Sequence, residues 1–396
     1  MSTSLVFEKR IKRHVLGRIR EFFAVTLPGF ESLCLQELKS LPLSDLDAQV
    51  VHGGVAFKGR IHDCYQANLN LRTAGRILMR IDAFQASNFN RLEKKIAGIP
   101  WELYLQPAPI PEFQVTSRRS RIIHTEAIAQ RFRSGIAEKF STIDGPAVAD
   151  NRKAPRPKLF VRAVKDHFTV SLDSSGKNLY KRGIKTQAAE APLRETTAAA
   201  ILMLAGYLGT EPLLDPMCGS GTFSLEAAMR VNNVPAGWFR NFAFTGWPAF
   251  SINNKRWQYI KAERGKSITT SEQALIFASD IEDEACRLLE NSAAEHGLSK
   301  PIQVFRRDFF DIMPSEVVNQ TGLVVINPPY GQRIGTPQDS LHLFQRVCKK
   351  LEKDYSAWKF ALIVPQFLLK QIPFPAQTHP IMHGGLKIYA AVGRIP

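Results

Sequence analysis

The chain has 396 residues, a formal net charge of +16 and five cysteines (Cys34, Cys64, Cys218, Cys286 and Cys348). The length exceeds one typical hydrophobic core and predicts two or three domains, and no apolar run approaches the ~20 residues needed to span a bilayer, so neither a membrane-spanning helix nor a membrane partner is expected. An odd number of cysteines without Cys-x-x-Cys spacing excludes a disulfide framework and a zinc site, so no metal is expected and a reducing, cytoplasmic compartment fits best.

The charge is unevenly placed. Residues 1–185 carry 31 Lys and Arg against 17 Asp and Glu, whereas residues 186–396 carry 21 against 19. An excess confined to one half suits a polyanionic partner better than a general solubility device. At the start, Lys9-Arg10-Ile11-Lys12-Arg13-His14 with Arg18 and Arg20 reads as a basic arm, since no cleavage-site signal follows it. A strand at Phe22-Phe23-Ala24-Val25, a turn at Pro28-Gly29, a helix and a strand at Val55-Ala56-Phe57 suggest half of a small βαβ unit. Helical periodicity follows around Cys64 to Leu71, then strands at Leu78 to Phe84 and Phe113 to Thr116, and an amphipathic helix from Thr125 to Phe140. Strands at Leu159 to Val164 and Phe168 to Leu172 come after an exposed Pro- and charge-rich loop at 151–158.

Beyond a linker the pattern becomes strictly alternating. A helix at Thr196 to Leu208 precedes strands at Pro212 to Leu214, Ala274 to Ala278, Ile302 to Phe305, Leu323 to Ile326 and Phe360 to Val364, with helices between them. Apolar strands alternating with helices predict a mostly parallel sheet covered on both faces, with ligands beyond the strand C-termini.

The chemistry-bearing residues fall at those ends. After the first strand comes Asp215-Pro216-Met217-Cys218-Gly219-Ser220-Gly221-Thr222, whose glycines let the backbone approach a ligand while the next helix presents free N–H groups. Asp280, before Ile281, ends the second strand, where a carboxylate can accept from both hydroxyls of a ribose. Asp308 ends the third, placed to accept from an adenine amino group with Phe309 against the ring. Asn327-Pro328-Pro329-Tyr330 ends the fourth. Its acceptors can hold an amine attached to a flat ring, and Tyr330 offers a face on which an extruded base can stack. Helix capping by the aspartates, a small buried Cys218, a packed Tyr330 and a simple strand-ending turn at the prolines are the competing readings. The order of the motifs favours a methyltransferase using S-adenosylmethionine. A nicotinamide dehydrogenase would carry a third glycine and an acid ~20 residues on.

With these motifs in place, the chain resembles the THUMP-containing RNA guanine-N2 methyltransferases, and most closely the group that includes the bacterial ribosomal large subunit methyltransferase L, acting on 23S rRNA. The resemblance rests on Ala191-Pro192-Leu193-Arg194-Glu195-Thr196, Asp215 to Thr222, Phe242-Ala243-Phe244-Thr245-Gly246-Trp247 and Asn327 to Gly331, with Ser120 to Thr125 and Leu179 to Gly183 in the amino half. It implies an α/β fold, a Rossmann-like class I methyltransferase domain preceded by an α+β ferredoxin-like/THUMP RNA-binding region. The expected division is a basic tail at 1–20, a ferredoxin-like region at 21–64, a THUMP domain at 65–175, a linker at 176–190 and the methyltransferase domain at 191–396. The cofactor contacts it implies are Asp215, Met217, Cys218, Gly219, Ser220, Gly221, Thr222, Asp280, Ile281, Asp308, Phe309 and Asn327, and the catalytic set is Asn327, Pro328, Pro329 and Tyr330. RNA contacts are expected at Arg118, Arg119 and Arg121, at a strand-to-helix junction, and at Arg131 and Arg133, extending the strip along the helix; a solvated helix face is the competing reading. The RNA partner is rRNA, with tRNA second. Adenine N6 chemistry and a non-catalytic RNA-binding or assembly role are the alternatives. Larger members carry a second methyltransferase domain, so a chain ending at Pro396 is expected to perform one modification.

Overall fold

A computed structural model describes residues 3–43, 47–142, 156–185, 193–329, 336–383 and 386–396. The first element is a helix, α1 (Thr3–Ile11), continued by a π-helical turn over Lys12–Leu16. Ile11 and Val15, four residues apart and so on one face, are both buried in the amino-half core. Arg10 reaches Glu102 at 2.6 Å. The segment expected to be a free basic arm is therefore a docked helix, because its two apolar anchors share a face while its cations point outward.

The strand β1 (Arg20–Thr26) turns Phe22, Ala24 and Thr26 inward with the period of two that a strand requires. It is followed by α2 (Glu31–Ser40), β2 (Asp47–Val51), β3 (Gly54–Gly59), α3 (Ile61–Asn70), β4 (Ala74–Gln85), α4 (Phe89–Gly98), β5 (Glu112–Arg118), α5 (Thr125–Ser141), β6 (Lys158–Val164) and β7 (His167–Asp173). These strands form one sheet in the order β2-β3-β1-β4-β7-β6-β5. β4 pairs with β1 over its first part and with β7 from Leu78↔Asp173 to Gln85↔His167. The division expected at residue 64 falls inside α3, and the sheet passes unbroken across it.

The second half contains α6 (Glu195–Leu204), β8 (Leu213–Asp215), α7 (Thr222–Val231), α8 (Pro248–Lys266), β9 (Ile276–Asp280), α9 (Asp283–Glu295), β10 (Ile302–Arg306), α10 (Pro314–Val317), β11 (Leu323–Ile326), α11 (Pro337–Asp354), β12 (Lys359–Pro365), β13 (Ala376–His383) and β14 (Leu386–Arg394). The sheet order is β10-β9-β8-β11-β12-β14-β13, with parallel pairing from β10 to β12 and antiparallel pairing at β14. All four residues of β11 are buried, as a central strand covered on both faces demands. Strand order reverses between β8 and β11, which opens a crevice at their C-terminal ends.

The two halves share a core. Phe242, Phe244 and Trp247, from the aromatic segment after α7, belong to the amino-half cluster, and Phe244 stacks on Tyr65 of α3 at 4.4 Å. Beside it, Arg182 is buried and donates to Glu226 on α7 at 2.8 Å and to the Arg72 carbonyl at 2.7 Å. Arg72 lies 3.6 Å from the same carboxylate. Removing one partner of such a buried group strands a charge and costs about 3–5 kcal/mol. Arg240 donates to the carbonyls of Ser175, Lys177, Asn178 and Lys181. The first part of the expected linker is thus bolted down, and its last residues, 186–190, lie outside the described ones.

Candidate active site

β8 is only three residues long and ends at Asp215, after which Pro216 stops the strand and the chain must turn to enter α7. Gly219 (φ +50°) and Gly221 (φ +73°) make that turn in the left-handed region. A side chain at Gly221 would meet Leu289 of α9 at 2.3 Å, so glycine is also what lets α9 close on the turn. The Gly219 N–H donates to Asp280 Oδ2 at 2.9 Å, and the Glu282 N–H donates to Oδ1 at 3.1 Å. Asp280 is thereby fixed at the end of β9, with one backbone donor on each oxygen and its remaining lone pairs available.

Lys185 braces the same turn from below, donating to Ser220 Oγ at 3.1 Å and Thr222 Oγ1 at 2.5 Å. Burial lowers its pKa, and Glu195, Asp215 and Glu226 oppose that shift. Asp215 itself is 1% exposed and accepts from Ser224 Oγ at 2.7 Å. Burial pushes its carboxyl up to about 7, with the Ser224 hydrogen bond opposing and Asp280 adding to the rise. Cys218 is buried, and the thiol of Cys286 beside it raises the Cys218 pKa while that of Cys286 is lowered. That partner, far away in sequence on α9, had no local signal.

At the end of β10, Asp308 accepts from the Phe310 N–H at 3.0 Å, so it caps the short 3-10 turn over Phe309–Asp311 with one oxygen. Phe309 is 1% exposed and its ring packs toward Tyr355 at 6.0 Å. Much of the ring expected against a ligand is therefore spent in the core. Its neighbour Phe310 is half-buried, under the Arg346 guanidinium at 4.0 Å, and lines the crevice together with Arg346 and Leu343 of α11. The sequence signals none of these three: Leu343 and Arg346 sit on α11 at ordinary helical spacing with no motif around them, and Phe310 follows Phe309 with nothing to distinguish the two.

Asn327 follows β11. Its Oδ1 is sealed from solvent and has no hydrogen-bond partner among the described residues. Pro328 is buried, Pro329 is exposed on the crevice wall, and Tyr330 lies outside the described residues. The ends of β8, β9, β10 and β11 together line one crevice of about 570 Å³, which takes in Asp215, Met217, Cys218, Gly219, Ser220, Thr222, Asp280, Ile281, Asp308, Phe309, Asn327 and Pro329.

The five arginines expected to meet RNA do not form one strip. Arg118, Arg119 and Arg121 are exposed at the β5–α5 junction, Arg121 lying 3.4 Å from Asp166. Arg131 pairs with Glu93 at 2.7 Å and covers Phe89, whereas Arg133 pairs with Glu126 at 2.6 Å and covers Phe113. Two residues apart on a helix is about 200° of rotation, so these two point to different sides and each faces a carboxylate. Among the described residues no group of three or more His, Cys, Asp or Glu is placed to hold a metal ion. No described helix is long and apolar enough to cross a membrane.

Comparison with known proteins agrees with this geometry. Residues 182–372 match the RMKL-like methyltransferase domain, and residues 21–78 match the RlmL ferredoxin-like domain. The chain is 31% identical over 375 residues to the ribosomal RNA large subunit methyltransferase K/L of Methylococcus capsulatus, covering 93% of this chain and 50% of that protein. The chain thus spans about half the length of the K/L relatives it matches. It is 30% identical over 370 residues to the Synechocystis sp. protein named "Putative RNA methyltransferase slr0064", covering 93% of this chain and 94% of that one. The crystal structure of SMU.472 in complex with SAH superposes with a TM-score of 0.83 at 27% identity, covering 96% of this chain and 99% of that one. The chain therefore belongs to the RMKL-like methyltransferase family and carries the RlmL ferredoxin-like domain ahead of its methyltransferase domain.

Proposed function

We propose that the protein is an S-adenosylmethionine-dependent RNA methyltransferase that methylates guanine N2 in 23S rRNA, by direct in-line transfer to a base flipped out of its helix. The observation that carries this reading is Asn327, whose solvent-sealed Oδ1 has no hydrogen-bond partner among the described residues, at the crevice of a methyltransferase fold. Leaving such an acceptor unsatisfied costs about 1–3 kcal/mol, a cost recovered when a substrate N–H arrives. The residues present fit the cofactor. The crevice of about 570 Å³ lies in the range of small-molecule sites, the Gly219–Gly221 turn permits close backbone approach, and Asp280 is held with lone pairs free for a diol. The cofactor supplies an electrophilic methyl group. The chain's own residues supply alignment: Asn327 Oδ1 and the Pro328 carbonyl accept from the ring amine and turn its lone pair toward the methyl carbon, an interaction that strengthens as the nitrogen becomes pyramidal. Tyr330 is assigned the stacking face for the base. The amino half, with its THUMP region at 65–175, is assigned the grip on RNA.

Two measurements test this. Mass spectrometry of nucleosides from the rRNA and tRNA of a deletion strain should show loss of N2-methylguanosine from 23S rRNA alone. Loss from tRNA, or loss of N6-methyladenosine, would redirect the assignment. Asn327→Ala should lower turnover at least ~100-fold, the scale of one lost transition-state acceptor, while cofactor affinity stays within about twofold. Wild-type turnover by this variant would remove Asn327 from the reaction.

A further inference from the structure

A second cleft, about 770 Å³ in volume, lies where the linker meets the aromatic segment. It meets the catalytic crevice at Leu193, which lines both, and Lys185 lines it while reaching across to Ser220 and Thr222 of the cofactor turn. Its exposed cations are Lys177, Lys181 and Arg194. None of them has an ion-pair partner among the described residues, in contrast to Arg131 and Arg133, which each face a glutamate. Among the described residues Glu195 is the one carboxylate in its lining, and it interacts with Lys185. Among its described lining residues three are aromatic: Tyr180, stacked under the Arg194 guanidinium at 5.2 Å, Phe239, edge-on to His296 at 4.9 Å, and the buried Phe242.

The cleft is built, not incidental. Arg240 ties together four carbonyls of the segment that carries Lys177 and Lys181. Gly183 (φ +88°) is pressed so closely against the next segment that a side chain there would meet the Phe239 carbonyl at 2.3 Å. Cations without ion-pair partners beside partly exposed aromatic rings, in a groove held by buried polar bonds, are what single-stranded nucleic acid binds: phosphates take the cations and bases stack on the rings.

We propose that this cleft binds the single-stranded RNA adjoining the target nucleotide, with Lys177, Lys181 and Arg194 on successive phosphates and Tyr180 as a stacking face, and so delivers the target base to Asn327. This rests on the RNA-methyltransferase reading above and adds a second RNA site to it, separate from Arg118, Arg119 and Arg121. The test measures binding of a single-stranded RNA oligonucleotide across a salt series, by wild type and by Lys177→Gln/Lys181→Gln/Arg194→Gln. Three lost phosphate contacts should flatten the slope of log affinity against log salt by about 2 and weaken binding at least tenfold at low salt, with S-adenosylmethionine affinity unchanged. The double variant Lys177→Gln/Lys181→Gln leaves the Tyr180 stack intact and should give about two thirds of that change. A slope and affinity equal to wild type in both variants overturns the cleft assignment while leaving the enzymatic reading in place. A wild-type protein without salt-dependent RNA binding overturns both.

Discussion

Replacing Asp280 by alanine removes more than one contact. In the structure its carboxylate accepts from Gly219 N–H at 2.9 Å and from Glu282 N–H at 3.1 Å, so it is the post that holds the glycine turn against α9. Its remaining lone pairs are those assigned to the ribose. A hydrogen bond to a charged group contributes about 1.5–3 kcal/mol, which alone corresponds to roughly 10- to 150-fold in affinity. Release of Gly219 adds to this, because the turn then loses the geometry in which it meets the ligand. Asp280→Asn keeps one acceptor and should fall between alanine and wild type. Calorimetry with S-adenosylmethionine and with S-adenosylhomocysteine separates the possible causes. A residue that reads the ribose weakens both ligands equally, since both carry that sugar. Weakening confined to the sulfonium form would mean that Asp280 acts through long-range charge, and equal affinities for wild type and Asp280→Ala would remove it from the site; either result refutes the reasoning.

Two further outcomes concern stability. Gly221→Ala should destabilise by about 2–5 kcal/mol, the sum of left-handed backbone strain and overpacking, because the new methyl meets Leu289 Cδ1 at 2.3 Å; in chemical denaturation Leu289→Ala should lessen the cost of Gly221→Ala, and strict additivity would show that the clash is relieved elsewhere. Asp215 is pushed up to about 7 by burial from about 3.9 in the unfolded chain, so the folded protein holds the extra proton between those values. The stability that goes with the neutral carboxyl is complete below about pH 4 and is lost as pH rises through 7, on the order of 4 kcal/mol in all. Asp215→Asn, which can still accept from Ser224, should flatten that decline, and identical pH profiles for the two proteins would mean that Asp215 is ionised in the fold.

Much of the site is set by sequence alone because its signals are local. A short apolar run ending in Asp-Pro, glycines two apart before a helix, and an acid or Asn-Pro-Pro directly after a strand are fixed by backbone conformation within a few residues. The alternating pattern that predicts the parallel sheet is equally local, and its strands from β8 to β12 are found where that pattern puts them. The antiparallel pair β13 and β14 lies outside the alternating βα pattern, and its signal in the sequence is Gly384-Gly385 between two apolar runs.

What only the tertiary structure decides is every question of which partner a side chain meets. Composition makes residues 9–20 a basic arm, but Ile11 and Val15 find a core and the arm becomes a helix. Spacing on α5 cannot say that Arg131 and Arg133 each face a glutamate, one of them on another helix. Phe309 and Phe310 are indistinguishable as letters, and the packing against Tyr355 buries most of the first in the core while the second, half-buried, lines the crevice beside it. The aromatic segment at 242–247 reads as a motif without a purpose until Phe244 is seen stacked on Tyr65 of the other half. The physical reason is the same in each case: backbone preference acts over one turn of chain, whereas burial and charge pairing act between residues that only folding brings within a few ångströms.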